Sequence, residues 1–579
     1  MRYLALATDY DGTLAHHGKV DGSALAAVGR LRESGRRLLL VSGRELEDLQ
    51  TTFDRLDLFD AAVLENGALL YHPETREGKA LGPPPPPEFV EELRRRGVDP
   101  VSVGRVIVAT WEPHQQTVLE VIHDLGLELQ VIFNKGAVMV LPSGINKATG
   151  LTAALAELGL SPHNAVGIGD AENDHAFLAA CECAVAVANA LPALKERADL
   201  VTAGDHGRGV IELIDRLLAD DLADLAPKLT RHSILLGLRE DGAEERIDPY
   251  GLNVLVSGTS GSGKSTLTTG LLERLAAAGY QYAVIDPEGD YATLEGAVVL
   301  GDPHRAPLVE EALDLLKAPG QNAVVNLLGI ALEHRPAFFD ELLSRLQELR
   351  ARTGRPHWVV VDEAHHLLPT SWKPGNVTLP QELQGMLFIT VHPESVAPPV
   401  LGAVGVLIAV GERPERTVAS FCRAAGEPAP KVGPTTLAAG EALVWRRGAG
   451  AAARVRTEPP HTERRRHSRK YAEGNLGPDR SFYFRGPEEK LNLKAQNLAL
   501  FLQTAEGVDD ATWQYHLRRG DYSEWFRDGI KDDGLAAEVE PIEKDRGLSP
   551  RDSRAAVRAA VEKRYTLPGD APSGQTTPA

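Results

Sequence analysis

Two aspartates stand two residues apart near the start of the chain, in Asp9-Tyr10-Asp11-Gly12-Thr13-Leu14. The apolar run before them, residues 3–8, reads as a short buried strand. Alternation along that strand turns both carboxylates the same way, toward the carboxyl edge of a parallel sheet, where open α/β sheets place their ligand sites. Two carboxylates there can bind a hard cation through oxygen. One can also attack a phosphoryl group while its neighbour moves protons. Gly12 permits the tight turn that lets backbone approach a phosphate. Three further places complete a set. Ser42, after the apolar LLLV and before Gly43-Arg44, offers a hydroxyl to a phosphate oxygen. Lys147 can neutralise charge on phosphate and nucleophile. Asp170 and Asp174, in Gly-Asp-Ala-Glu-Asn-Asp after AVGIG, supply further oxygen ligands for Mg²⁺.

A second set lies mid-chain. Gly258-Thr259-Ser260-Gly261-Ser262-Gly263-Lys264-Ser265-Thr266 follows the strand-like NVLVS and precedes a helical pattern, the context a phosphate-binding P-loop requires. Its glycines free backbone N–H groups to cradle phosphates at a helix N-terminus. Lys264 reaches the β- and γ-phosphates of ATP, and Ser265 ligates Mg²⁺. A later strand, Trp358–Val361, ends in Asp362-Glu363. Asp362 belongs to the Mg²⁺ shell, and Glu363 is placed to polarise an attacking water, which favours ATP hydrolysis over transfer to a metabolite.

Elements must position these groups. A helical pattern at Ala24–Glu33 between strands at 3–8 and Leu38–Ser42 gives a β-α-β unit and a parallel sheet. The run Pro83–Pro87 marks a boundary, followed by a helix (Glu88–Arg96), a strand (Val103–Thr110), a helix (His114–Leu125) and two strands (Leu127–Phe133, Gly136–Leu141). Strands resume at Ala165–Ile168 and Cys183–Val187. Ser233–Leu238 and Glu245–Ile247 form a strand pair leading into Asn253–Val256. Beyond a basic stretch at 461–470, Ser481–Arg485 reads as a strand and Leu491–Thr504 as a helix, in a segment rich in Trp and Tyr. His516 in that segment reads as structural. The expected domains are 1–225 with an insert at about 83–143, 230–457, a basic linker 458–479, an accessory domain 480–565 and a disordered tail 566–579.

At 579 residues, the chain has room for roughly three or four domains. A net charge of -19 argues against whole-surface attraction to nucleic acid, though Arg446, Arg447, Arg454, Arg456, Arg464, Arg465, Arg466, Arg469 and Lys470 crowd one stretch. Only 3 cysteines are present, which argues against a disulfide framework and fits a reducing cytoplasm; Cys181 and Cys183 read as core. The N-terminus lacks a signal-peptide pattern, and no apolar stretch reaches the ~18–20 residues of a membrane span.

The motifs of the first set, in this order, resemble the haloacid dehalogenase superfamily and its Cof-like phosphatases, as does AVAVANALPALKERADLVT further on. The resemblance implies that Asp9 is the nucleophile, that Asp11 is the general acid/base, and that Ser42 and Lys147 hold the phosphoryl group. It implies further that Asp9, the Asp11 carbonyl and Asp170 hold Mg²⁺ with Asp174 in support, and that the insert is a substrate-selecting cap. The second set, with Ile285-Asp286-Pro287-Glu288-Gly289-Asp290-Tyr291, VVVDEAHHLLP and FITVHPESV, resembles the HerA/FtsK ATPases. That implies a ring, usually a hexamer, with ATP at subunit interfaces, a polar sensor at His392, and an arginine finger among Arg413, Arg416 and Arg423. Members commonly translocate DNA or protein; a DNA-channel signature is not clear in this sequence.

The fold expected is α/β: a Rossmann-like phosphohydrolase domain with a small α+β cap, a RecA-like P-loop domain, and a small helix-rich domain. The expected function is a Mg²⁺-dependent phosphohydrolase joined to an ATPase in a homo-oligomer acting in nucleic-acid processing or defence, on a phosphorylated substrate the residues do not name. The competing reading is a sugar-phosphate or other metabolite phosphatase regulated by an ATP-binding module.

Overall fold

The computed structural model describes residues 2–225, 228–259, 261–372, 384–461, 481–530 and 532–564. The chain divides into two compact units, residues 1–258 with 267–459, and residues 259–266 with 460–579. Among the described residues no helix is long and apolar enough to cross a membrane.

The first unit opens with a sheet whose strands are β1 (Ala5–Asp9), β2 (Arg37–Val41), β3 (Ala61–Leu64), β4 (Leu69–His72) and β5 (Glu77–Ala80). After the cap come β10 (Ala165–Gly169), β11 (Cys183–Ala186) and β12 (Leu200–Val201). The order is β12-β11-β10-β1-β2-β3-β4-β5, parallel from β12 to β3 and antiparallel beyond. The sequences ALATD, AVGIG and CAVA are buried throughout, as expected of parallel strands covered on both faces. The helix Gly22–Glu33 buries Ala24, Ala27, Val28 and Leu31, the spacing of one helical face, and packs on the helix His206–Asp220. Cys181 and Cys183 are free and buried, so they are core as expected.

The cap strands are β6 (Ser102–Val103), β7 (Val108–Trp111), β8 (Leu129–Asn134) and β9 (Ala137–Pro142), in order β6-β7-β9-β8. Helices Pro87–Arg95 and Gln115–Asp124 cover one face. The other face meets the core through Val106, Ile107, Met139 and Leu141 against Ala68. The single strand expected over Val103–Thr110 is instead a hairpin. The buried Glu65 carboxylate accepts consecutive backbone N–H groups from Arg105 (2.9 Å), Val106 (2.7 Å) and Ile107 (2.8 Å). Three successive donors aimed at one group cannot follow strand alternation.

A second sheet holds β13 (Ile234–Arg239), β14 (Glu244–Ile247), β15 (Asn253–Gly258), β16 (Tyr282–Asp286), β17 (Ala297–Leu300) and β18 (Asn322–Asn326). It also holds β19 (Trp358–Val361), β20 (Met386–Thr390), β21 (Val406–Val410), β22 (Glu441–Arg446) and β23 (Ala453–Thr457). The order is β14-β13-β23-β22-β21-β15-β20-β19-β16-β18-β17. The expected strand pair at 233–247 is the hairpin β13–β14. It lies at the sheet edge, joined through β23 rather than beside β15.

Within this unit the two sheets share a buried polar junction. Glu182 Oε1 accepts from Arg2 Nη2 (2.6 Å), while Oε2 accepts from the Tyr280 hydroxyl (2.8 Å) and lies 2.9 Å from His163 Nδ1. His163 Nε2 lies 2.7 Å from the Ala278 carbonyl, so both ring nitrogens face oxygen acceptors, and the ring stacks on Tyr280 at 3.8 Å. Burial works against the Glu182 charge, but His163 and Arg2 outweigh it and hold the carboxyl at about 2, below the ordinary 4.5. Such a shift is worth on the order of 3 kcal/mol. Because the folded-state value is the lower one, this stabilisation is complete above the unfolded value and is lost as pH falls toward the folded one. The unfolding-midpoint gap between wild type and Glu182→Gln should therefore narrow from about pH 5 to about pH 2. A gap that stays constant over that range contradicts the assignment.

The second unit's described C-terminal part holds a hairpin of β24 (Phe482–Phe484) and β25 (Leu493–Ala495) and helices at Leu498–Gly507, Asp510–Arg519, Asp521–Asp528, Asp533–Lys544 and Pro550–Arg564. The helix expected from Leu491 starts at Leu498. Asn497 caps it by accepting from Leu500 N, and the residues before are drawn into β25. His516 is structural: Nδ1 lies 2.7 Å from Asp521, and Nε2 accepts from Arg485 N at 3.0 Å. Of the basic linker expected at 458–479, residues 462–479, with Arg464, Arg465, Arg466, Arg469 and Lys470, lie outside the described residues, as does the tail 566–579.

Candidate active sites

The first site forms where β1 and β10 end side by side, Thr8 pairing with Ile168. Asp9 is the last residue of β1, and Asp170 follows β10 directly. Lys147 opens the helix Lys147–Glu157, whose start is fixed by a capping box between Asn146 and Thr149. That cap, worth about 1 kcal/mol, delivers a buried ammonium between two carboxylates: Nζ is 2.6 Å from Asp9 Oδ1 and 2.6 Å from Asp174 Oδ1. The other Asp174 oxygen accepts from the N–H groups of Asp170 (2.8 Å) and Ala171 (2.9 Å). Burial raises the Asp9 pKa, and the nearby Asp174 adds to this against the opposing Lys147. Burial lowers the affinity of Lys147 for its proton, yet Asp174 and Asp9 outweigh it and the pKa is raised.

Carboxylate oxygens of Asp9, Asp170 and Asp174 lie within 4.8 Å of one another. The Asp11 carbonyl, on the same side, accepts from Lys135 Nζ at 3.0 Å. A Cβ on Gly12 would stand 2.4 Å from Asp170 Oδ2, so the loop passes too close to that oxygen for a side chain. The backbone there is at φ +93°, which also calls for glycine. An all-oxygen, mainly anionic set of this kind suits Mg²⁺.

The strand ends at Asp9, so alternation does not set the Asp11 side chain. Its two oxygens are held by an Arg44 fork, Nε to Oδ2 at 2.6 Å and Nη2 to Oδ1 at 2.8 Å. Ser42 is buried just past β2, its Oγ accepting from Arg44 N at 3.2 Å. The structure thus gathers Asp9, Lys147, Asp170, Asp174 and the Asp11 carbonyl, with Asp11's carboxylate and Ser42 tied to the rim by Arg44. Sequence reasoning passed over Arg44, Lys135, Glu65 and Asn66. Asn66 accepts from Asn173 Nδ2 at 2.9 Å. The sequence signal was Asn66-Gly67 directly after a strand, a turn-forming pair; in the structure Glu65, Asn66 and Gly67 have φ of +49°, +56° and +105°.

In the second site, β15 ends at Gly258 and the helix Lys264–Ala277 begins at the loop's lysine. Gly261 and Gly263 have φ of +78° and +94°, with open space where a Cβ would go, so backbone conformation alone calls for glycine there. Lys264 Nζ donates to the Thr259 carbonyl at 3.0 Å. Ser265 and Thr266 lie in the helix's first turn; Ser260 lies outside the described residues. Asp362, buried, follows β19 and accepts from Glu363 N at 3.1 Å. Glu363 itself has φ +44°, uncommon for a residue with a side chain. His392, expected as the sensor, is exposed beside Glu394 at 3.2 Å. Its ring lies 5.6 Å from that of His365, whose Nδ1 stands 3.0 Å from Thr390 Oγ1 on β20 and 3.4 Å from Glu363 Oε2. Arg413, Arg416 and Arg423 are all exposed at or along the helix Pro414–Ala425.

Comparison with known proteins matches residues 6–81 and 104–214 to the haloacid dehalogenase-like hydrolase family, and residues 252–366 to the central domain of helicase HerA. The phosphoglycolate phosphatase of Methanothermobacter thermautotrophicus is 33% identical over 225 residues, covering 37% of this chain and 98% of that protein. The chain belongs to the haloacid dehalogenase-like hydrolases. Within the family, phosphoglycolate phosphatase 2 of Saccharolobus solfataricus is 28% identical, covering 37% of this chain and 93% of its own. A haloacid dehalogenase-like hydrolase of Bacteroides thetaiotaomicron has a solved structure that aligns over 37% of this chain and 99% of its own, at 21% identity and a TM-score of 0.34. The chain is thus a phosphatase of the haloacid dehalogenase type joined to a HerA-like P-loop ATPase.

Proposed function

We propose that this chain is a Mg²⁺-dependent phosphomonoesterase acting through an aspartyl-phosphate, fused to an ATPase that works in a homo-oligomeric ring. The observation that carries the first half is the buried Lys147 ammonium, shared between Asp9 and Asp174 beside Asp170. Asp9 attacks phosphorus and the ester oxygen leaves, taking its proton from Asp11. Water then attacks the aspartyl-phosphate with Asp11 accepting the proton, releasing phosphate and restoring Asp9. Arg44 orients the Asp11 carboxyl for both transfers, and Lys147 with Ser42 steadies the phosphoryl oxygens. Asp9, the Asp11 carbonyl and Asp170, with Asp174 in support, would hold Mg²⁺, which would supply charge neutralisation on the transferring group.

In the second half, Lys264 and the loop N–H groups of Gly258 to Thr266 hold the ATP phosphates. Ser265 and Asp362 serve its Mg²⁺, and Glu363 orients water. In this reading the domains are 1–225, 230–457 and 480–565. The ring, a hexamer in this reading, and a role on DNA rest on the HerA likeness. The alternative, a metabolite phosphatase tuned by ATP, is favoured by the phosphoglycolate phosphatase relatives.

The test is phosphate release from 2-phosphoglycolate, 4-nitrophenyl phosphate and ATP, with and without EDTA and duplex DNA, alongside sedimentation. Release that EDTA abolishes, from an assembly whose ATP hydrolysis DNA stimulates, supports the proposal. A monomer whose phosphatase responds to ATP supports the alternative. No release from any phosphomonoester sinks both.

A further inference from the structure

Three neighbouring strands of the second sheet end side by side. β19 is followed by Asp362 and Glu363, β20 ends at Thr390, and β15 leads into the P-loop. Val361 pairs with Phe388, and Ser257, one residue before the loop's first glycine, pairs with Thr390. Thr390 is 0% exposed, so its hydroxyl cannot itself meet a nucleotide. Its Oγ1 accepts from the His392 backbone N–H at 3.0 Å and lies 3.0 Å from His365 Nδ1. The same Nδ1 lies 3.4 Å from Glu363 Oε2.

An ionised carboxylate can only accept. A lone pair on Nδ1 would face that negative charge, so this nitrogen carries the proton and shares it between Glu363 and the hydroxyl. Both side chains are mostly buried, at 13% and 18% exposed, so solvent screens the attraction little. Residues two apart do not face each other on a helix. Glu363, however, precedes the helix Ala364–Leu367 and has a left-handed backbone, so helical spacing does not keep its carboxylate from the His365 ring.

We propose that His365 is a positioning residue of the ATPase: its Nδ1 proton, anchored on the Thr390 hydroxyl, holds the Glu363 carboxylate at the angle from which it orients the attacking water. The inference rests on the role given to Glu363 above. A glutamate carboxylate hangs on three rotatable bonds and needs a fixed donor to keep one direction. A misplacement of about 1 Å can cost on the order of 100-fold in rate. The pairing of Thr390 with Ser257 makes the anchor part of the same strand pair that carries the P-loop.

The experiment measures ATP hydrolysis and binding of a fluorescent ATP analogue by the full chain. His365→Ala should lower kcat roughly 10- to 100-fold while KM and analogue affinity stay within about 3-fold. His365→Asn, whose amide can still donate from near the Nδ1 position, should recover part of the loss. Thr390→Val should lower kcat in the same direction, Thr390→Ser should restore it, and joining Thr390→Val to His365→Ala should add nothing, as for two groups acting through one contact. Residual hydrolysis in Glu363→Gln should not fall further when His365→Ala is added. His366→Ala is the control: this exposed neighbour stacks on His365 at 4.1 Å and should leave kcat unchanged. The Asn and Val variants decide the matter if His365→Ala does not fold. An unchanged kcat in the His365 variants, an equal loss of turnover and binding, a further loss in Glu363→Gln, or the same loss in His366→Ala overturns the proposal. Wild type that hydrolyses ATP while the His365 variants match it overturns this inference alone; wild type that does not hydrolyse ATP overturns the role of Glu363 and this inference with it.

Discussion

Asp9→Asn should lower phosphomonoester hydrolysis by at least about 1,000-fold and leave ATP hydrolysis within about 2-fold. The amide fills the carboxylate's volume but cannot attack phosphorus or carry the negative charge that Lys147 faces at 2.6 Å. Loss of folding is not the expected cause. Lys147 keeps its second partner, Asp174, at 2.6 Å, and the cluster of Asp9, Asp170 and Asp174, faced by Lys147 and Lys135, is relieved of one negative charge. The melting temperature should therefore hold or rise. A labelled substrate should leave an acyl-phosphate, labile to hydroxylamine, on the wild type and none on the variant. Retention of a tenth or more of the activity would move the nucleophile elsewhere. Loss of ATP hydrolysis as well would mean that ATP is a substrate of the first site.

The parts of this site that were legible in the sequence are those set by local geometry. A buried strand followed by Asp9 fixes where that carboxylate lies, because a parallel strand's end is a sheet edge whatever surrounds it. The same holds for Asp170 after β10, and for Lys264 after β15. The groups that escaped notice depend on register and long-range docking. Lys135 matters only because a hairpin in the cap turns at that residue and the cap sits where Glu65 holds it. Arg44 lies in the Ser42 motif, yet its fork on Asp11 appears only once β1 and β2 pair. The Glu182 junction joins residues from four separate segments, Arg2, His163, Glu182 and Tyr280, each an ordinary residue in its own stretch. The misplaced helix start at Leu491 has the same origin. Helical periodicity there was outweighed by pairing with Phe482–Phe484, which periodicity cannot see.

Lys264→Ala should abolish ATP hydrolysis, by about 100-fold or more, with phosphatase activity retained. The ammonium is buried within its own loop and donates to the Thr259 carbonyl, so the loop holds a positive charge in place before nucleotide arrives. Alanine removes the charge that offsets the γ-phosphate in the transition state, while Gly261 and Gly263 still set the backbone. Nucleotide binding should weaken less than turnover, which separates loss of catalysis from collapse of the loop; equal loss of both points to collapse. Phosphatase rates in this variant carry a second answer. The helix that starts at Lys264 runs to Ala277, and the next carbonyl, Ala278, faces His163 of the phosphatase domain. If ATP changes the phosphatase rate of wild type but not of Lys264→Ala, the Ala278–His163 contact is the first link to test. His163→Ala should then uncouple them while each site keeps its own reaction. If ATP leaves the phosphatase rate of wild type unchanged, the junction is structural, and the two activities share a chain without sharing a signal.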